Sequence, residues 1–134
     1  MTTDLTPGIV LRRAGEVITT NGRYVGSYHD WKAEARDVPA EQCAVCIVGA
    51  INIAAGLRPD MAWPEERPGI GAKVRVARSA GRALADVIGG YDGRDNTLIG
   101  FLADWHDGRR SFPTPTDAEV LAKVAEAADL ADSR

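Results

Sequence analysis

The chain of 134 residues is poor in the side chains that carry metal, redox and acid–base chemistry, with two cysteines and two histidines. A structural zinc site takes four ligands. His29 and His106 do not pair with each other or with Cys43 and Cys46 at metal-ligand spacing, so no metal and no cofactor is expected. No apolar run approaches the roughly 20 residues of a membrane-spanning helix, and no membrane association is expected. Neither sign of charge dominates: the formal net charge of −3 supplies no bulk attraction to nucleic acid or to an anionic membrane. The opening stretch MTTDLTPGIVLRRAGEV lacks the basic head and apolar core of a secretory signal, so a cytoplasmic location with reduced thiols is expected. Repeats and low-complexity tracts are absent as well, which leaves one domain over residues 1–134.

What is present reads as helix. Thr6 and Pro7 form an N-cap and first helical position. Val10, Ala14, Val17 and Ile18 keep helical spacing up to Asn21-Gly22. Residues 23–40 carry Tyr24, Tyr28 and Trp31 without sustained periodicity and read as an aromatic loop with room for a short hairpin. A second helix is predicted from residue 39 or 40 to residue 55, stopping at Gly56. It is apolar on nearly every side, as a central helix is, and Gly49 and Ala50 would admit a second helix at close range. Residues 57–71 hold Pro59, Pro64, Pro68 and Gly69 and read as a long loop.

A third helix spans about Ala72 to Ile88, with Val76, Ala77, Ala80, Leu84, Val87 and Ile88 inward. Asn96 or Thr97 caps a short helix ending near Trp105, and Thr116 with Glu119 writes a capping box for the last one. The expected fold is all-α: a single compact domain of about five helices with two long irregular loops.

Three features could carry function. Cys43 and Cys46 stand in a C-x-x-C pair, but no βαβ pattern of a redox motif precedes it. Cys46, placed inside an apolar helix, reads as packing, and Cys43, nearer the helix start, as the more reactive thiol. A hydrolase built from Cys43, His106 and Asp107 is the sharp alternative, although adjacent His and Asp side chains seldom face each other.

The second feature is Arg75, Arg78 and Arg82, which share a helix face, with Lys73 nearby and no acid in residues 72–82. Guanidinium groups grip phosphate or carboxylate in bidentate fashion, so this face suits a small anion, a nucleotide or an acidic partner. The acidic last helix could instead neutralise it internally. The third feature is the pair of loop tryptophans, Trp31 and Trp63. Tyr, Trp and Arg dominate interface hot spots, but these loops could equally fold back to lid the core.

Four motifs recur in order: a first helix closing on Asn21-Gly22, the Cys46-Ile47-Val48-Gly49-Ala50 core, Trp105-His106-Asp107, and Thr116 to Val120. With them, residues 8–130 resemble a small domain-of-unknown-function family of actinobacteria and their phages. The family places Asn where His106 stands, and Cys43 is not part of its pattern. The resemblance implies an intracellular, often phage-encoded protein with no assigned reaction. The expected function is therefore a non-enzymatic interaction protein, a phage or prophage accessory factor binding a host protein through Arg75, Arg78, Arg82, Trp31 and Trp63. Self-association is left open and nucleic acid is disfavoured. The alternatives are an anion- or nucleotide-binding protein using the arginine face, and a cysteine-dependent hydrolase.

Overall fold

The structure is a computed structural model that describes residues 5–64 and 68–134. Residues 1–4, at the head of the stretch read for a signal, and 65–67, in the middle of the predicted long loop, lie outside the described residues. The fold is all-α, with six α-helices among the described residues: α1 (Pro7–Asn21), α2 (Trp31–Glu34), α3 (Ile47–Ala54), α4 (Ala72–Ile88), α5 (Leu98–Asp107) and α6 (Asp117–Asp132).

The helix ends follow from local chemistry. The Thr6 hydroxyl accepts from the Ile9 amide at 3.2 Å to start α1, and Gly22, at φ 96°, ends it. Thr97 caps α5 by accepting from the Gly100 amide at 3.0 Å. At α6 the box closes both ways: Glu119 N–H donates to Thr116 Oγ1 at 3.1 Å, and Thr116 N–H donates to Glu119 Oε1 at 3.0 Å.

The core is shared among these helices. α1 packs on α3 and α6, α4 on α6, α1 and α3, and α5 against α4 and α3. Val10, Leu11, Val48, Ile51, Leu84, Leu102, Val120 and Val124 form its buried centre. The inner side of α4 is small, with Ala77, Ala80, Gly81, Ala83 and Ala85 buried beside Leu84, and this lets four helices crowd against it.

The predicted second helix is broken. Residues 40–42 form a single 3₁₀ turn (Ala40–Gln42), residues 43–46 are extended, and α3 begins only at Ile47. The reason is tertiary. Val45 donates to the Gly22 carbonyl at 3.0 Å and accepts from the Tyr24 amide at 2.8 Å. The Asp30 amide reaches the Ala44 carbonyl at 2.9 Å, and the Cys46 amide reaches the Tyr28 carbonyl at 3.1 Å. These bonds take up the backbone groups a helix would need, so the loop of residues 22–30, bent at residues 25–28, holds residues 43–46 extended. Val45 pairs there with Arg23 and His29 in isolated bridges that build no sheet among the described residues.

Gly49 does admit a close neighbour, but a loop and not a helix. A Cβ at Gly49 would collide with the Tyr28 carbonyl oxygen.

The only fully buried amide side chain of α3, Asn52, places the following loop. Its Nδ2 donates to the Pro59 carbonyl at 2.9 Å and to the Met61 carbonyl at 3.0 Å. Its Oδ1 accepts from Trp63 Nε1 at 2.7 Å. Every hydrogen-bonding site this amide offers inward is used, as burial of a polar group requires. The indole is thereby laid against α4, where Gly81 leaves space for the ring.

Candidate functional site

The outer face of α4 is built by spacing. Arg75, Arg78, Ser79 and Arg82 recur at three and four residues and point away from the alanine side. They line a cleft of about 400 Å³ whose walls are Pro7 of α1, Pro64 and Ile70 of the loop, and Ala131 and Arg134 at the end of α6. Four guanidinium groups therefore border one opening, and among the described residues no carboxylate lines it.

The acidic last helix does not neutralise this face. Asp117 bonds to Arg23 at 3.1 Å, Glu119 closes the capping box, and Glu126 meets Lys123 at 3.4 Å. Asp129 and Asp132 pair with Arg12 of α1 at 3.1 and 2.7 Å. Each carboxylate of α6 is thus committed elsewhere, while Arg134, just past the end of α6, adds a cation. Among the described residues, Asp86 is the counter-charge bonded to this face, to Arg82 at 3.2 Å and also to Arg134. Burial acts to raise its pKa, but hydrogen bonds from Arg134 and Arg82 outweigh that and hold it below the usual carboxylate range. Arg75 donates to the Ile70 carbonyl at 3.2 Å. Arg78 is half-buried and makes no hydrogen bond or ion pair with the other described residues.

The two tryptophans separate. Trp63, expected as an exposed anchor, is buried: its indole N–H is spent on Asn52 and its ring sits against α4. The loop does lid the core at this point. Trp31 is 55% exposed, with Lys32 Nζ 5.6 Å from its ring centroid, and it lines no part of the arginine cleft. Arg134 belongs to the cleft and is invisible to the helical spacing that groups the other three, because it arrives from beyond the end of α6.

On the opposite flank of Arg78 lies a second cleft of about 810 Å³, lined by Tyr28, Trp63, Tyr91, Arg94, Asn96 and Ile99 among others.

A third constellation gathers around His106, which is fully buried. Its Nδ1–H donates to Asp107 Oδ1 at 2.8 Å, and its Nε2 accepts from Arg23 Nε–H at 3.0 Å. Arg23 also donates to the carbonyls of His106 and Pro115, both at 2.7 Å. Adjacent His and Asp do face each other here, because both end α5 within its last turn and Gly108 takes the left-handed cap at φ 72°. Burial lowers the His106 pKa, opposed by the Asp107 hydrogen bond and reinforced by the Arg23 charge. A neutral imidazole protonated on Nδ1 satisfies both partners, and it has no lone pair left to activate a thiol.

The cysteines bear this out. Cys46 is the N-cap of α3, not an interior helical residue. Burial pushes its thiol up to about 11 in spite of the Gly49 and Val48 amides, which lower it. Cys43 is buried too, its thiol raised by burial first and then by the charges of Glu34, Asp30 and Glu41, so the charges around it come from another part of the fold than His106 and Asp107. The thiol points at the Pro39 carbonyl, 3.5 Å away. Thiolate chemistry needs an open, electropositive setting, and neither cysteine has one.

Among the described residues no group of three or more His, Cys, Asp or Glu side chains could hold a metal ion, and no helix is long and apolar enough to cross a membrane. No curated protein and no solved structure matches the chain. The model of a family of unknown function, DUF6197, matches residues 2–130, and the chain belongs to that family.

Proposed function

We propose that this domain is a non-enzymatic binding protein whose α4 cleft grips an anionic group. The observation that carries the reading is the convergence of Arg75, Arg78, Arg82 and Arg134 on one opening. Arg78 at its centre has no counter-charge among the described residues. A half-buried guanidinium held without a partner is prepared for an incoming one, since charge-assisted bidentate contacts to phosphate or carboxylate are the strong ones. The setting is the cytoplasm of an actinobacterial cell, or of one infected by phage, as the resemblance implies.

Calorimetric titration of the purified chain with inorganic triphosphate tests the reading. Binding should weaken about ten- to a hundred-fold in Arg78→Ala, the loss of one charge-assisted contact of about 1.5–3 kcal/mol, with thermal stability held. Equal affinity in the variant, or no binding by either protein, would refute it.

A second reading, a surface that docks a host protein, is supported by Trp31 and Val25, which are 55% and 51% exposed in the same connection between α1 and α3. Capture of a partner that is lost in Trp31→Ala and retained in Arg78→Ala would favour it.

A further inference from the structure

The arginine cleft does not end at Arg78. That side chain lines the second cleft as well, and Arg82 of the first cleft lies over the ring of Tyr91 of the second, 5.4 Å from its centroid. The two openings are therefore halves of one groove that crosses the outer face of α4, with Arg78 at the junction.

The halves differ in chemistry. The first offers guanidinium groups over a short apolar floor of Val74, Ala83 and Ala131. The second offers the side chains of Tyr28 and Tyr91, the apolar Ile99, the amide of Asn96 and, among the described residues, one further cation, Arg94, offset by Asp95. Each volume, about 400 and 810 Å³, lies within the roughly 300–1,000 Å³ of small-molecule sites. An inorganic polyphosphate would satisfy the first half and leave the aromatic half empty. An acidic peptide would carry charge into a half where cation and acid nearly cancel.

A ligand anionic at one end and planar at the other matches both halves. We propose that the groove binds a mononucleotide. Its phosphates lie against Arg75, Arg82 and Arg134, Arg78 holds the phosphate nearest the sugar, and the base lies in the second half against Tyr28 and Ile99. The proposal rests on the anion-binding reading of the first half and adds the ligand class. It needs no bulk positive charge, because the attraction is local to α4, and a chain of net charge −3 can take a mononucleotide while giving a nucleic-acid backbone no extended track.

The test compares inorganic triphosphate with the four common nucleoside triphosphates by calorimetry on the full chain. At least one nucleotide should bind about 5- to 150-fold tighter than triphosphate, the range expected of one base–aromatic stack. Tyr28→Ala should erase that advantage and leave triphosphate affinity in place, with circular dichroism checking the fold. Arg94 is exposed, and its side chain has no partner among the described residues, so Arg94→Ala provides a variant that will fold. It should weaken the nucleotide more than the triphosphate. Equal affinity for nucleotide and triphosphate, unmoved by Arg94→Ala, overturns the nucleotide assignment and leaves the anion site standing. Failure of both ligands to bind removes the anion site, and the nucleotide assignment with it.

Discussion

Acidification should loosen the buried knot around His106 before it reaches the carboxylates held below their usual range. The imidazole holds Asp107 with one nitrogen and Arg23 with the other, at 2.8 and 3.0 Å. A proton on Nε2 would remove the acceptor for Arg23 and set two cations at hydrogen-bonding distance inside the protein. The folded state therefore binds this proton less readily than the unfolded chain, where histidine titrates near its ordinary 6.5. The sign follows from linkage. With the folded pKa below the unfolded one, the unfolded state carries more protons between the two, and stability falls as pH drops. It is whole above about 6.5 and is lost from there down to the folded pKa, with a slope of at most about 1.4 kcal/mol per pH unit for one group.

The carboxylates held below their usual range, Glu34, Asp86 and Glu119, weaken the fold only as pH falls below ordinary carboxylate values near 4, so pH 6.5 to 5 lies above their range, and replacing His106 alone separates its share from that of any other group. His106→Asn, the residue the family resemblance puts at this position, offers an amide N–H toward Asp107 and an amide oxygen toward Arg23 on a shorter stem. It should cost about 1–2 kcal/mol at pH 7.5 for two stretched bonds and lost volume, and it should flatten the pH dependence. Urea unfolding followed by circular dichroism at pH 7.5, 6.5 and 5.5 measures both. A wild-type midpoint constant across that window, or a variant that keeps the wild-type slope, would refute the reasoning.

Two further outcomes follow from the packing. Cys46 caps α3, so Cys46→Ser, whose hydroxyl can accept from the Val48 and Gly49 amides, should be more stable than Cys46→Ala by about 1 kcal/mol, and both wild-type thiols should resist a maleimide until the chain is unfolded. Equal melting temperatures, or rapid native labelling, would contradict the cap. Trp63→Phe keeps the ring in its notch on α4 but strands the buried Asn52 oxygen, which should cost about 1–3 kcal/mol. Trp63→Phe combined with Asn52→Ala should cost less than the sum of the two, and strict additivity in denaturant unfolding would show that the bond has no role.

The ends of α1, α4 and α6 are legible in the sequence because their signals are local. Thr6-Pro7, Gly89 and the Thr116–Glu119 box act on backbone groups within one turn, whatever the rest of the chain does. The break at residues 43–46 is not legible. The same apolar, small-residue string would make a good helix, and only the carbonyls of Gly22 and Tyr28, brought from a distant segment, make the extended form win. The shared face of Arg75, Arg78 and Arg82 is likewise a matter of helical spacing. Arg134 and the second cleft are not, since they depend on how α6 and the α4–α5 connection dock. Trp63 reads as an interface residue by type. Its burial is foreshadowed only by Asn52, a lone amide in an otherwise apolar run that has to find partners somewhere.

Arg23 is the point where the ends of the chain are tied together. Its side chain, 9% exposed, spends its donors on the His106 ring, the His106 carbonyl, the Pro115 carbonyl and Asp117, all more than 80 residues later. During synthesis α1 and α3 leave the ribosome long before any of these groups exists. Until they are made, the guanidinium keeps its hydration, and its burial comes only together with the acceptors that receive its hydrogens. The desolvation of this cation is thus tied to the docking of α5 and α6, so a chain cut short before residue 106 would leave Arg23 in water and the core open on that side.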